Sequence, residues 1–155
     1  MLAAFVLVIS GCSDLEHVKT KDLSVSTISN SGTEKSLDEL IGAWEDTTGE
    51  MCELSEASLR NVEAIDGVSC DESSSVLYLY PSTSVLKSDL NDSNQATNTH
   101  KFGMSAELVG PNWRIDLGEK RHWEVPIPAD EVYKNLEQEL GGVLVQIGDW
   151  SDREL

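Results

Sequence analysis

The sequence predicts an α+β fold: a mostly antiparallel β-sheet with a short N-terminal helical turn and one packed C-terminal helix. Three observations carry this expectation. Apolar residues alternate with polar ones in several short runs between positions 76 and 127, the period of a strand with one face in a core. From Ala129 to Leu140 the period changes to that of a helix, with Val132, Tyr133, Leu136 and Leu140 on one stripe and Gly141-Gly142 behind it. Pro81, Gly110-Pro111, Pro126 and Pro128 punctuate the runs where strands should end.

In chain order, the apolar run Leu2 to Val8 is followed by Ile9-Ser10-Gly11-Cys12. Small residues before a cysteine, after a greasy stretch, resemble the lipobox of bacterial lipoproteins, whose signal peptide is cut just before that cysteine. The resemblance implies that residues 1–11 are a cleaved signal segment and that Cys12 carries the acyl chains. No Lys or Arg precedes the short apolar run, which fits a start upstream of Met1. The run is also well short of the roughly 20 apolar residues that span a bilayer. Two or more chains give stable attachment, so the implied address is the cell envelope, lipid-anchored. In such lipoproteins Ser13 after the cysteine goes with the outer membrane. Residues 12–36 are then expected to be the lipidated cysteine and a flexible Ser/Thr-rich tether, spanning roughly 25–30 Å root-mean-square as a coil. A competing reading places Leu23, Val25 and Thr27 on one face of a short edge strand. Residues 37–155 are the expected single globular domain.

With Cys12 assigned to lipid, Cys52 and Cys70 remain as an even pair, and in an oxidising compartment a disulfide is the expected outcome. Neither thiol has the short-spaced Cys or His partner of a zinc site, so no metal is expected.

Ser36-Leu37-Asp38-Glu39 has capping-box spacing and opens the helical turn with Leu37, Leu40 and Ile41. Gly42-Ala43-Trp44 follows; a short helix, then Gly-x-Trp leading into a first strand, resembles the start of lipocalin-like barrels. Val76 to Tyr80 reads as a strand with Val76, Tyr78 and Tyr80 on one face. Ser88 to His100 reads as an Asp/Asn/Ser/Thr loop. Its Asp89-x-Asn91-x-Ser93 opening mimics a calcium loop, but Asn94 and His100 stand where that loop needs Gly and Glu. Phe102, Met104, Ala106 and Leu108 alternate in a further strand. Trp113 to Val125 reads as a hairpin, with Trp113 opposite Val125, Ile115 opposite Trp123, and both Trp residues in the core. The helix over 129–140 and a last strand, Val143 to Ile147, complete the domain.

Charge narrows the partners. The formal net charge is −17, and between Leu37 and Glu72 eleven carboxylates face Arg60 alone. Nucleic acid and anionic lipid surfaces both require a basic patch and are poor partners, so no nucleic acid is expected, whereas a cationic protein fits, with Glu50, Glu53 and Glu56 as candidate contacts. An acidic surface serving solubility alone is the other reading. His17, His100 and His122 have no catalytic context, and no nucleophile elbow, zinc helix or phosphate loop is present. The expected function is therefore a non-enzymatic, membrane-tethered binding domain without a cofactor, inhibitor or immunity-like toward a cationic protein. The alternatives are a lipocalin-like carrier of a small apolar ligand and an accessory subunit of an envelope assembly.

Overall fold

The computed structural model describes residues 18–54, 63–70, 75–100, 105–116 and 131–148. The α+β expectation holds. Seven strands form one sheet: β1 (Val18–Lys19), β2 (Cys52–Leu54), β3 (Asp66–Cys70), β4 (Ser75–Leu79), β5 (Ser105–Gly110), β6 (Trp113–Asp116) and β7 (Val143–Ile147). Their order is β1-β7-β5-β6-β4-β3-β2, and every pairing is antiparallel except that of β1 with β7.

Helices cover both faces of this sheet. On one face lie α2 (Leu37–Thr48) and α4 (Glu131–Leu140). Leu40, Ala43 and Trp44 of α2 and Tyr133, Leu136 and Leu140 of α4 meet Leu77, Leu108 and Ile115 of the sheet. On the other face lie α1 (Val25–Ser29) and α3 (Thr83–His100), where Ile28, Leu86 and Leu90 pack against Tyr80, Val109 and Val145. The second layer was not expected. The strands require it, because the central ones are buried on both sides: every described side chain from Ala106 to Val109 and from Trp113 to Ile115 is buried.

The capping box forms as the spacing predicts. Ser36 Oγ accepts from the Glu39 amide at 3.3 Å, and Glu39 Oε2 accepts from the Ser36 amide at 2.8 Å. The helix it opens is twelve residues long, not a single turn, and continues through Gly42-Ala43-Trp44 to Gly49. Trp44 is thus a helix residue over the sheet and does not lead into a strand. The α4 stripe and the β7 strand lie where the sequence puts them.

Three other expectations give way. Residues 88–100 are not a loop but most of α3, which begins behind Pro81 with the Ser82 hydroxyl accepting from the Val85 amide at 3.4 Å. Leu86 and Leu90, one helical turn apart, are fully buried, and that burial outweighs the weak helix propensity of Asn, Ser and Thr.

Residues 18–36 are not a free tether either. Leu23 and Ile28 are buried, Thr20 Oγ1 donates to the Gln146 carbonyl at 2.6 Å, and the Asn112 side chain brackets Lys35 with two hydrogen bonds of 2.9 and 3.0 Å. Leu23, Val25 and Thr27 form no strand, since Val25 and Thr27 belong to α1.

The hairpin is also relocated. Over 113–116 both edges of β6 are occupied, so Trp113 and Ile115 have Leu79 and Leu77 of β4 and Gly110 and Leu108 of β5 as their cross-strand neighbours. The hairpin that does form joins β5 to β6 through Pro111-Asn112, with Gly110 opposite Trp113. Trp113 is fully buried and donates from Nε1 to the Thr33 carbonyl at 3.2 Å. Gly110 makes room for it: a Cβ there would fall inside the indole. Trp123 and Val125 lie outside the described residues.

Cys52 and Cys70 are opposite one another in the β2–β3 pair and form a disulfide, with their Cα atoms 4.1 Å apart. It fastens the three-residue edge strand β2 to the sheet.

Candidate functional site

Two features of the described residues are candidates for function: a buried charged cluster beneath α3 and an acidic surface formed by α2 and α4. The cluster follows from strand alternation. With Trp113 and Ile115 turned toward α2 and α4, Arg114 must point to the opposite face, where β4 contributes Tyr78 and β5 contributes Glu107. From above, α3 supplies Asp89 on the same side as Leu86 and Leu90.

The side chains of Arg114, Asp89 and Glu107 are only 4–6 % exposed. Arg114 Nη2 is 3.2 Å from Asp89 Oδ2, and the same oxygen accepts a 2.6 Å hydrogen bond from the Tyr80 hydroxyl. Arg114 Nη1 is 3.4 Å from Glu107 Oε2, and its guanidinium stacks 4.7 Å from the Tyr78 ring centre and 5.8 Å from that of Tyr80. Arg114 Nε has no acceptor, and Glu107 Oε2, although close to the guanidinium, makes no hydrogen bond.

The electrostatics follow from burial and charge count. Burial opposes the charge on Arg114 most strongly, yet Glu107, Tyr80, Asp89 and Tyr78 together hold it above the ordinary arginine value, so it stays cationic. Burial pushes the Glu107 carboxyl up to about 8, with Arg114 countering part of the rise and Asp116 and Asp89 adding to it. Burial likewise raises the Tyr78 phenol to about 12 and the Tyr80 phenol further, Arg114 opposing in both. With so little exposure, the cluster has no face open to a substrate. What it does is hold α3 on the sheet.

The acidic surface lies on the opposite side of the sheet. Helices α2 and α4 carry seven carboxylates (Asp38, Glu39, Glu45, Asp46, Glu131, Glu137 and Glu139) against Lys134 alone. Asp38, Glu39, Asp46, Glu131 and Glu139 are exposed, and Glu45 and Glu137 are half-buried. The layer made by β1, the 3-10 turn Thr20–Asp22, α1 and α3 is different. Apart from the buried Asp89, it carries Lys19, Lys21 and Lys87 with Asp22 and Asp92. The negative charge is therefore concentrated on one side of the described fold.

Of the residues singled out in the sequence, Glu53 is exposed on β2 and Glu50 is half-buried just after α2. Cys12, Glu56, His17 and His122 lie outside the described residues. Asp89, Asn91 and Ser93 sit on a helix, with Asp89 turned inward and Asn91 outward, so they do not converge on a cation. Among the described residues no cluster of His, Cys, Asp or Glu is arranged to hold a metal, and no helix is long and apolar enough to cross a membrane.

The charged cluster is hidden from sequence reasoning because Asp89 sits in a stretch that reads as a loop and Arg114 alternates with the apolar Trp113 and Ile115 as a solvent-facing strand residue does. The spacing Leu86, Asp89, Leu90 is the helical signal that could have found it.

These features define a three-layer α+β domain with a buried ionic cluster under one helix and an acidic helical layer on the other side. No family model matches the chain, and no curated protein or solved structure is significantly similar to it.

Proposed function

We propose that the chain is a lipid-anchored cell-envelope protein whose domain acts as a non-enzymatic binder, inhibitor or immunity-like toward a cationic protein. The observation that carries this reading is the one-sided charge: seven carboxylates and one lysine on α2 and α4, against a nearly balanced layer across the sheet. A surface of one sign steers an oppositely charged partner and fixes the side on which it docks. The lipobox-like Ile9-Ser10-Gly11-Cys12 and the Cys52–Cys70 disulfide both suit an exported protein. The site of the proposal widens accordingly, from Glu50, Glu53 and Glu56 to the α2–α4 layer.

The test is capture of a partner from detergent-solubilised envelopes by the full chain, by a Glu50→Lys, Glu53→Lys, Glu56→Lys variant, and by an Asp38→Lys, Asp46→Lys, Glu139→Lys variant. Loss of a cationic partner with the helical variant supports the reading. Equal capture by all three, with the folds intact, contradicts it and leaves the acids a role in solubility.

A further inference from the structure

The cluster beneath α3 holds more acid than it can neutralise. Asp89 and Glu107 share one guanidinium in a space with almost no solvent contact, and they do not share it equally. Asp89 has both the closer contact, 3.2 Å, and the hydrogen bond from Tyr80. Glu107 is left with a 3.4 Å approach and an oxygen that no donor reaches. Directly opposite it in the β5–β6 pair is another acid, Asp116. An ionised Glu107 would therefore hold one oxygen, Oε2, with neither solvent contact nor a hydrogen bond, and it would face two carboxylates, Asp89 and Asp116.

We propose that Glu107 carries a proton at neutral pH and that this proton closes a clasp between α3 and the sheet, which loosens when the solution becomes alkaline. The described groups that face Glu107 are Arg114 and Asp116 of β6, Asp89 of α3, and Tyr78 and Tyr80 of β4 and its end. On the β7 side the same face offers only Val143, Val145 and Ile147. Lys87 of α3 is turned away, donating to the Thr20 carbonyl and to Asn91. With the proton in place the cluster is one cation and one anion. When it leaves to solvent, a second negative charge appears beside Asp89, the one carboxylate by which α3 grips the cluster. The helix, not the strands, is then what gives way.

Burial makes Glu107 a weaker acid in the folded chain, and that sets the direction of the pH effect. Unfolded chain loses the Glu107 proton near the ordinary 4.5, whereas folded chain holds it until about 8. The stability that the proton contributes is complete below 4.5, declines as pH rises between those values, and is gone above about 8.

The experiment uses the full chain with its disulfide intact. Carbon-13 NMR follows the Glu107 carboxyl, and hydrogen exchange, corrected for its intrinsic pH dependence, follows the α3 amides from roughly pH 5 to pH 9. The carboxyl is expected to titrate near pH 8. Protection of α3 should fall by up to about tenfold per pH unit on the approach to that value, while the Glu107→Gln variant stays flat. Titration of Glu107 among the ordinary carboxylates overturns the proposal, and that result needs no variant to fold. So does α3 protection that ignores pH, or that declines equally in the Gln variant.

Discussion

Replacing Arg114 with Met tests how much the buried cluster contributes to the fold. Met keeps an unbranched apolar stem between the Tyr78 and Tyr80 rings, so the change removes the guanidinium with little loss of packing. What remains is Asp89, 6 % exposed, with Tyr80 as its hydrogen-bond donor but no counter-ion, and Glu107, 4 % exposed. Breaking a buried pair by removing one partner costs about 3–5 kcal/mol, because it strands a charge. In its proposed protonated state Glu107 adds little to that cost, since burial holds its carboxyl up to about 8. The penalty falls on Asp89, which places the expected loss near the lower end, about 3 kcal/mol. Urea denaturation has a slope of about 1–3 kcal/mol per molar for small domains, so the midpoint should fall by about 1–3 M.

The assay is urea denaturation at neutral pH, read by tryptophan fluorescence, with Arg114→Met, Asp89→Leu and the double variant side by side. Removing both charges leaves none stranded, so the double variant should recover much of the loss seen in Arg114→Met. An unchanged midpoint for Arg114→Met would mean that the guanidinium does not hold α3 on the sheet. So would a double variant whose loss equals the sum of the singles, since the two residues would then be uncoupled.

Other predictions follow from separate parts of the molecule. Trp113→Ala should destabilise the domain by about 3–5 kcal/mol by thermal or urea denaturation, because the indole is fully buried over Gly110. Reducing the Cys52–Cys70 bond, which closes a span of 18 residues, should cost about 3 kcal/mol on the chain-entropy model, measured as the midpoint shift on adding a thiol reductant. Ser36→Ala removes the side-chain hydrogen bond to Glu39 and keeps the stronger backbone one, so the Glu39 carboxyl, held below the ordinary range by both, should move only part of the way back in an NMR titration. The wild-type contribution of that cap is present above the ordinary 4.5 and is lost as pH falls through the depressed value. Cys12→Ala should move the protein from the membrane pellet to the soluble fraction, and a variant that stays in the pellet contradicts acylation there.

Much of the fold was legible where one local rule acted alone. The capping box at Ser36 and Glu39, the stripe Val132, Tyr133, Leu136 and Leu140, and the strand Val143 to Ile147 each announce themselves by spacing. The Cys52–Cys70 bond was legible by counting, though not its place at the sheet edge.

What could not be read depended on the far side of the sheet. Polar residues in β5 and β6 look solvent-facing until α3 covers them, and α3 itself hides in a stretch of Asn, Ser and Thr whose two leucines are decisive. Residues 18–36 look like a linker because their anchors, Thr20 to Gln146 and Lys35 to Asn112, are separated by 126 and 77 positions. The acidic layer was half visible. The α2 acids were counted within 37–72, but only the fold sets Glu131, Glu137 and Glu139 of α4 beside them.

The α2–α4 acids are the proposed docking surface for a cationic partner. Its most direct measurement is the association rate of the captured partner as a function of salt, for the full chain and for the Asp38→Lys, Asp46→Lys, Glu139→Lys variant. Steering by this layer predicts association at least about tenfold faster at 0.01 M salt than at 0.15 M, as the Debye length shortens from about 30 Å to 8 Å, and loss of most of that gain in the variant. A rate indifferent to salt, or a salt dependence that the folded variant fully retains, would rule out docking through this layer.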